Sequence, residues 1–333
     1  MKQVSVVILN WNGRPLLEEF LPSVVRHTPG EEAEIVVCDN GSTDDSIAWI
    51  QKQYPQVRVI PLTENFGYAG GYNRALAQID TPYAVLLNSD VEVTPGWLSP
   101  LVSFCEQHPE AGACQPKIKS YRHRSFFEYA GAAGGFIDKY GYPYCRGRIF
   151  STVEPDNGQY DTPAEIFWAS GACLFIRTEL FRETGGFDDR FFAHMEEIDL
   201  CWRILLSGKK IFVVPQSEVF HLGAATLTTE TPRKTFLNFR NNLLMLYKNL
   251  PIKEGRPLLF KRRVLDTAAF FKFLLTGKTG NALAIIRAHN SFRKEKKQYR
   301  QQPETNLLKT FPEASRNITV DYFIRKQRFF RSL

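Results

Sequence analysis

Short apolar runs alternate with amphipathic stretches through the first hundred residues of the chain. Residues 4–9, 34–38, 57–60 and 83–87 are β-branched and aliphatic runs that predict buried strands, whereas 15–26, 44–53 and 69–78 repeat their apolar positions at helical spacing. Strand, helix, strand in strict alternation is the rhythm of an α/β chain with a parallel sheet and crossover helices. Ligands of such sheets sit beyond the carboxyl ends of the strands. The polar residues that end the predicted strands, Asn10 and Asn12, Asp39 and Asn40, and Asn88 and Asp90, are therefore expected in one crevice.

Past residues 113–118 the pattern loosens. A stretch rich in Gly, Tyr and Arg, 119–163, predicts hairpins and loops laid over the crevice. Order returns with 166–176, a helix near 178–183, a turn at Gly185-Gly186, a helix over 196–206 and a strand over 210–214. The last hundred residues lose the β rhythm: 236–250 and 264–275 read as helices, and the chain from Arg293 onward is highly charged.

Length and charge refine this division. With 333 residues, 44% of them hydrophobic, the chain can bury a large core as one domain with extensions or as two domains. Residues 1–232 carry 19 basic and 29 acidic side chains, and residues 233–333 carry 23 and 6. An acidic body suits a metal-dependent site with several carboxylates; a basic end suits an anionic surface, either nucleic acid or a membrane leaflet. The six cysteines, at 38, 105, 114, 145, 173 and 201, form no C-x-x-C pair, which points to a reducing, cytoplasmic compartment. The first apolar run stops at Asn10, too soon for a signal peptide, and no segment is long and apolar enough to span a bilayer. A cytoplasmic or peripheral protein is expected.

Four segments and a lone histidine carry candidate chemistry. The strand over 83–87 runs into Asn88-Ser89-Asp90, and a carboxylate at the open end of a buried strand is a good holder of a divalent cation, whose usual partners are phosphate oxygens. Asp39-Asn40-Gly41-Ser42-Thr43 can present a hydrogen-bond acceptor to a base or ribose, or serve only as a capped turn. Asn65-Phe66-Gly67 with Gly70-Gly71-Tyr72-Asn73 predicts a glycine-rich helix start able to approach phosphate. It follows the third strand and not the first, which argues against a dinucleotide-binding dehydrogenase. Glu196, Glu197 and Asp199 open a predicted helix, with Glu196 and Asp199 on one face and Glu197 about 100° away. One of them can be a general base, or all three can complement the helix dipole. His221 follows the last strand as a lone histidine.

Taken in order, these segments resemble the family 2 glycosyltransferases of the GT-A fold, near a bacterial rhamnosyltransferase-like branch. The resemblance rests on residues 6–12, 39–44, 65–73, 87–90, Trp168-Ala169-Ser170-Gly171-Ala172, Gly185-Gly186-Phe187-Asp188 and 196–199, and covers about 3–245. It implies a Rossmann-like, mostly parallel central sheet flanked by helices. A catalytic domain over 1–250 would have a donor half at 1–118 and an acceptor half at 119–250, followed by a basic helical extension over 251–333. It implies donor contacts from Asn10, Asn12, Asp39, Asn40, Ser42, Asn65, Gly67, Gly71, Asn73, Asn88 and Ser89, and acceptor contacts from Trp168, Ser170 and Gly171. Asp90 and His221 would hold Mg²⁺ or Mn²⁺, Asn88 replacing the usual first acid of the metal triplet. Glu197 is the implied base, with Glu196 and Asp199 as competitors. The implied reaction is inverting transfer of a sugar, rhamnose favoured, from a nucleotide-diphospho-sugar to a glycan or lipid-linked hydroxyl in cell-surface polysaccharide synthesis. A retaining transferase or a nucleotidyltransferase on a similar sheet is the alternative.

The basic end has two readings of its own. Lys261-Arg262-Arg263 followed by the aromatic-rich stretch 264–275 predicts a helix lying on an anionic membrane at the inner face of the cell membrane, or one packed against the body. A nucleic-acid-binding protein is less well matched, because the aromatics of this segment cluster with aliphatics instead of alternating with charge.

Overall fold

The computed structural model describes residues 2–223, 231–299 and 302–333. Its first half runs β1 (Val4–Asn10), α1 (Arg14–His27), β2 (Ala33–Asp39), α2 (Ser46–Gln53), β3 (Arg58–Pro61), α3 (Gly67–Leu76), β4 (Tyr83–Asn88), β5 (Val91–Val93), α4 (Ser99–Gln107) and β6 (Ala111–Ser120). All but β5 and α4 are elements the pattern predicts, with ends that differ by no more than two residues. Beyond them come β7 (Gly135–Ile137), β8 (Pro143–Cys145), β9 (Arg148–Ile149), β10 (Thr152–Val153), β11 (Ala164–Glu165), β12 (Cys173–Arg177), α5 (Thr178–Glu183), α6 (Glu196–Leu206) and β13 (Lys210–His221). Helices α7 (Pro232–Asn249), α8 (Ile252–Leu275), α9 (Thr279–Glu295), α10 (Leu307–Thr310) and α11 (Ile318–Phe323) complete the chain.

The main sheet is ordered β11-β13-β6-β12-β4-β1-β2-β3, with β5 paired to β13. The neighbours β4, β1, β2 and β3 are parallel, and β12 enters antiparallel between β4 and β6. Alternate residues of β1 serve opposite cores, as a strand's period of two requires. Val6 and Ile8 face Leu17, Leu21 and Val24 of α1, while Val7 belongs to the core with Tyr72 and Ala75 of α3. Each such side chain contributes about 1.5–3 kcal/mol on burial, so the register of this strand is strongly fixed.

That register builds the crevice. Asn10 lies opposite Asp39 on β2, and Leu9 opposite Asn88 on β4, so the strand-end polar residues come out side by side. Strand β13 is longer than the sequence suggests: irregular between Val214 and Glu218, it resumes pairing and sets His221 opposite Val91. The hairpins expected over 119–163 appear as a four-stranded antiparallel sheet, β10-β9-β8-β7.

The charged C-terminal stretch is not a free solvated tail. The Tyr144 hydroxyl donates to the Glu313 carbonyl at 2.8 Å, Phe136 stacks on Phe330, and Leu308, Ala314, Ile318 and Tyr322 join the larger core. Arg262, read from the sequence as part of an exposed basic cluster, is buried. It donates to Asn242 at 2.7 Å and Tyr140 at 2.9 Å, and it pairs with Asp266, which also holds His289. A guanidinium can be buried where it meets a carboxylate and neutral acceptors in this way, although Nε of Arg262 is left without a partner.

Candidate active site

At the open ends of β1 and β2 the buried Asp39 accepts from Asn10 at 2.8 Å and from the Ser42 amide at 2.9 Å. Asn12, in the left-handed region at φ 48°, accepts from the Thr43 amide, and its own amide donates to Ser42. Asn10 Oδ1 is buried with no hydrogen-bond partner; it faces Gly13, where a Cβ would sit 2.5 Å away, and the Ser89 hydroxyl lies beside the same point. Asn10, Asn12, Asp39, Ser42 and Ser89 thus form one polar cradle.

The glycine-rich helix start behaves differently from expectation. The amides of Phe66 and Gly67 donate to Asn40 and Asn65, and those of Tyr68 and Ala69 to the Phe192 carbonyl. No amide of this first turn is left for a phosphate. Asn40, Asn65 and Gly67 instead tie β2 to α3, and Gly71 lets α3 approach Leu9, where a Cβ would meet the leucine at 2.7 Å.

Asp90 and His221, 131 residues apart in the chain, meet at 3.1 Å between Oδ1 and Nε2. Asn88 reaches the same nitrogen at 3.4 Å. A residue without any sequence signal completes the cluster: Glu128, whose carboxylate lies 3.3 Å from His221 Nδ1. Burial draws the imidazole pKa down, but the carboxylates of Glu128 and Asp90 outweigh it and push it up to about 10. A hard carboxylate oxygen and an imidazole nitrogen are ligands that Mg²⁺ or Mn²⁺ accepts. Among the described residues no three His, Cys, Asp or Glu side chains gather to hold a metal. Asp90 and His221 would be the protein's share of such a site, the rest falling to phosphate and water.

The second acidic cluster opens α6 on a strained approach. Phe192, His194 and Met195 all have positive φ, at 62°, 71° and 72°, a conformation that persists only where surroundings enforce it. Asn241 of α7 supplies the enforcement: fully buried, it donates to the carbonyls of Phe191, Ala193 and His194. Glu196 and Glu197 each keep one carboxylate oxygen buried without a partner. Burial, then Glu197 and Asp199 as like charges, holds Glu196 well above the ordinary carboxyl range. Burial also raises Glu197, against the pull of backbone amides at the helix start, to about 7. Asp199 has the opposite setting: it accepts from Lys248 at 2.8 Å, Asn249 at 2.7 Å and Arg203 at 3.0 Å, leaving it no freedom to take a proton from a substrate. Tyr68, another residue without a sequence signal, donates to Gly171 at 2.7 Å, and burial, Tyr72 and both glutamates raise its pKa.

A family model described as glycosyl transferase family 2 matches residues 5–185, more than half of the chain. The chain belongs to that family. Its relatives include the N-acetylglucosaminyl-diphospho-decaprenol L-rhamnosyltransferase of Mycobacterium tuberculosis, 29% identical over 232 residues, which are 66% of this chain and 75% of that one. Among solved structures, S. aureus TarS 1-349 in complex with UDP-GlcNAc superposes with a TM-score of 0.58 at 18% identity, covering 88% of this chain and 80% of the other. GalNAc-T7 with UDP, GalNAc and Mn²⁺ gives 0.58 at 19% identity, over 75% of this chain and 48% of that longer one. At such identities the likeness shows the fold, which is of the GT-A type.

Within this family 2 glycosyltransferase, the matched region ends before Glu196, Glu197 and His221. Two residues expected to contact substrates are engaged by the protein itself. Trp168 is 3% exposed, packed beneath Gly135 with its indole donating to Phe136, so it supports the hairpin sheet and does not wall an acceptor. Asn73 spends its amide on the backbone of Phe187, donating and accepting at 2.9 Å, and also meets Asp189. Ser170 hydrogen-bonds to Ala130, Gln115 and Ala172, fixing the bend that leads to Gly171 and Tyr68.

Proposed function

We propose that this chain is an inverting, metal-assisted glycosyltransferase that moves a hexose, rhamnose favoured, from a nucleotide-diphospho-sugar to a hydroxyl of a lipid-linked or glycan acceptor in cell-surface polysaccharide assembly. The observation that carries the reading is Glu197, a carboxylate with an unpartnered buried oxygen and a pKa raised to about 7, matched to taking a proton near neutral pH. Asp39 and its cradle orient the nucleoside, and Asp90 and His221 would hold Mg²⁺ or Mn²⁺. A bound divalent cation would offset charge on the departing diphosphate. Glu197 removes the proton of the attacking hydroxyl while the neutral Glu196 beside it keeps the site free of a second negative charge. The rhamnosyltransferase relative supports the choice of sugar and of a lipid-linked acceptor.

The test is a panel of nucleotide-sugars with Mg²⁺ and Mn²⁺, scored for glycosidic product and, by NMR, for its anomeric configuration. Inversion with a dTDP-hexose is expected. A retained anomer or a nucleotidyl product would overturn the reading.

Residues 1–250 are the catalytic unit in this proposal, and 251–333 its membrane-facing extension. Helix α8 is built inside out: its inner face holds Arg262 and Asp266, whereas Phe260, Val264, Phe271 and Leu275 are 65%, 59%, 56% and 88% exposed. Arg256, Lys261, Arg263 and Lys272 are exposed on the same helix, whose two acids, Glu254 and Asp266, are paired to Lys309 and Arg262. No helix among the described residues is long and apolar enough to cross a membrane. Apolar side chains ringed by cations fit the surface of an anionic bilayer. The full chain is expected to float with vesicles containing phosphatidylglycerol and not with neutral ones, and F260E/F271E/L275E to lose flotation. Equal flotation by that variant would remove the membrane from the account.

A further inference from the structure

We infer that Glu128 is a positioning residue for the metal ligand His221, fixing which ring nitrogen carries the proton. The two carboxylates that flank the imidazole do so on opposite nitrogens: Asp90 at 3.1 Å from Nε2, and Glu128 at 3.3 Å from Nδ1. A cation shared by Asp90 and His221 must use Nε2, which requires the proton on Nδ1 in the neutral ring. Nδ1 makes no hydrogen bond in this arrangement, and Glu128, 3.3 Å away, is the carboxylate placed to accept from it in that tautomer; an outer carboxylate of this kind also raises the basicity of the ligating nitrogen.

The surroundings hold Glu128 to this task. The side chain is 7% exposed, and one oxygen also accepts from the Ala130 amide, which pins the carboxylate after β6. Its other oxygen lies against Gly223, at φ 61°, where a Cβ would come within 2.6 Å. The Glu128 amide donates to Ile118, and the Tyr121 amide to His221's own carbonyl, so both residues hang from the β6 end. Nothing in this cluster brings Glu128 to the Nε2 side. It acts through the histidine and not as a third ligand. A glutamate in the loose stretch after β6 gave no sign of this in the sequence, since its partner is 93 residues away.

This inference rests on the assignment of Asp90 and His221 as metal ligands, and its test separates the two. Mn²⁺ alone is titrated into the full-length protein and free Mn²⁺ is read by electron paramagnetic resonance. Histidine tautomers are read from ¹⁵N shifts of the Mg²⁺-loaded protein. Glu128→Ala is expected to weaken Mn²⁺ binding about 10- to 100-fold. Glu128→Gln, which keeps an acceptor for Nδ1–H, is expected to stay within a few-fold of wild type. His221 should appear as the Nδ1–H tautomer in wild type. Unchanged Mn²⁺ binding by Glu128→Ala, or an Nε2–H tautomer in the wild-type protein, overturns the role of Glu128 and leaves the ligand assignment intact. Undiminished binding by both Asp90→Asn and His221→Ala overturns the ligand assignment and the inference with it. Should Glu128→Ala fail to fold, the wild-type tautomer still decides.

Discussion

Two acidic centres flank the crevice, and they handle charge in opposite ways. At the end of β4, Asp90 and Glu128 sandwich His221, so that each negative charge has a positive or protonatable neighbour. At the start of α6, Glu196 and Glu197 stand together with an unpartnered oxygen each and no ion pair to another described residue, and their pKa values rise. A compensated centre can exchange a proton for a metal ion. An uncompensated one can accept a proton and keep it. The difference lies in the neighbours, because all four carboxylates are largely buried.

The largest effect that would break this contrast comes from Asp90. Asp90→Asn is expected to cut transfer by a hundredfold or more, on the scale of losing a transition-state charge stabiliser, and to weaken Mn²⁺ binding in a protein that still folds. Activity within a few-fold of wild type would show that the β4 centre has no part in the chemistry.

Asp199 sharpens the contrast from the other side. It shares the acidic turn with Glu197 but is saturated by Lys248, Asn249 and Arg203. Asp199→Asn is expected to cost about 1–3 kcal/mol of stability, since it weakens the charged bonds from Lys248 and Arg203, although Lys248 keeps Asp188 at 3.1 Å. The loss should be read in denaturant midpoint, with turnover of the surviving folded enzyme changed little. A folded, stable and inactive variant would move the base from Glu197 to Asp199.

The pH dependence separates the centres further. Glu197 has a folded pKa above its unfolded value, so the folded state binds the extra proton. Stability from this group is therefore undiminished below about 4.5, falls as pH rises towards 7, and stays reduced above. Glu197→Gln should accordingly raise Tm by a few degrees at pH 8, on the order of 1–3 kcal/mol, and change it little at pH 4.5. A lower Tm at pH 8 would mean that the carboxylate is paired after all. The smallest effect is expected at Asn241, where Asn241→Ala removes the clamp on the strained 191–195 segment. A loss of about 1–3 kcal/mol with lower kcat and unaltered Mn²⁺ binding would confirm that this asparagine serves the α6 centre alone.

What could be read beforehand follows from the same physics. Strands β1 and β4 were legible because both faces are buried and the register is fixed by the run of aliphatics, and their polar ends had nowhere to go but the crevice. Asp90 and His221 were legible through the ordered motifs. Glu128, Tyr68 and Asn241 were not, because their roles depend on partners 47 to 103 residues away and on tautomers and carbonyls that leave no local pattern. Trp168 misled for the complementary reason: a tryptophan looks the same in sequence whether it faces a ligand or donates to a neighbouring backbone. The helix start at Gly67 had the composition of a phosphate site, yet the carbonyl of Phe192, 125 residues on, already occupies two of its amides.

The central claim, that one centre binds charge and the other moves a proton, meets its most direct test in Glu197→Gln assayed beside wild type for single-turnover transfer and for Mn²⁺ binding. Transfer is expected to be 10²- to 10⁴-fold slower, with Mn²⁺ binding unchanged. Transfer within a few-fold of wild type, or a loss of Mn²⁺ binding in step with activity, would contradict it.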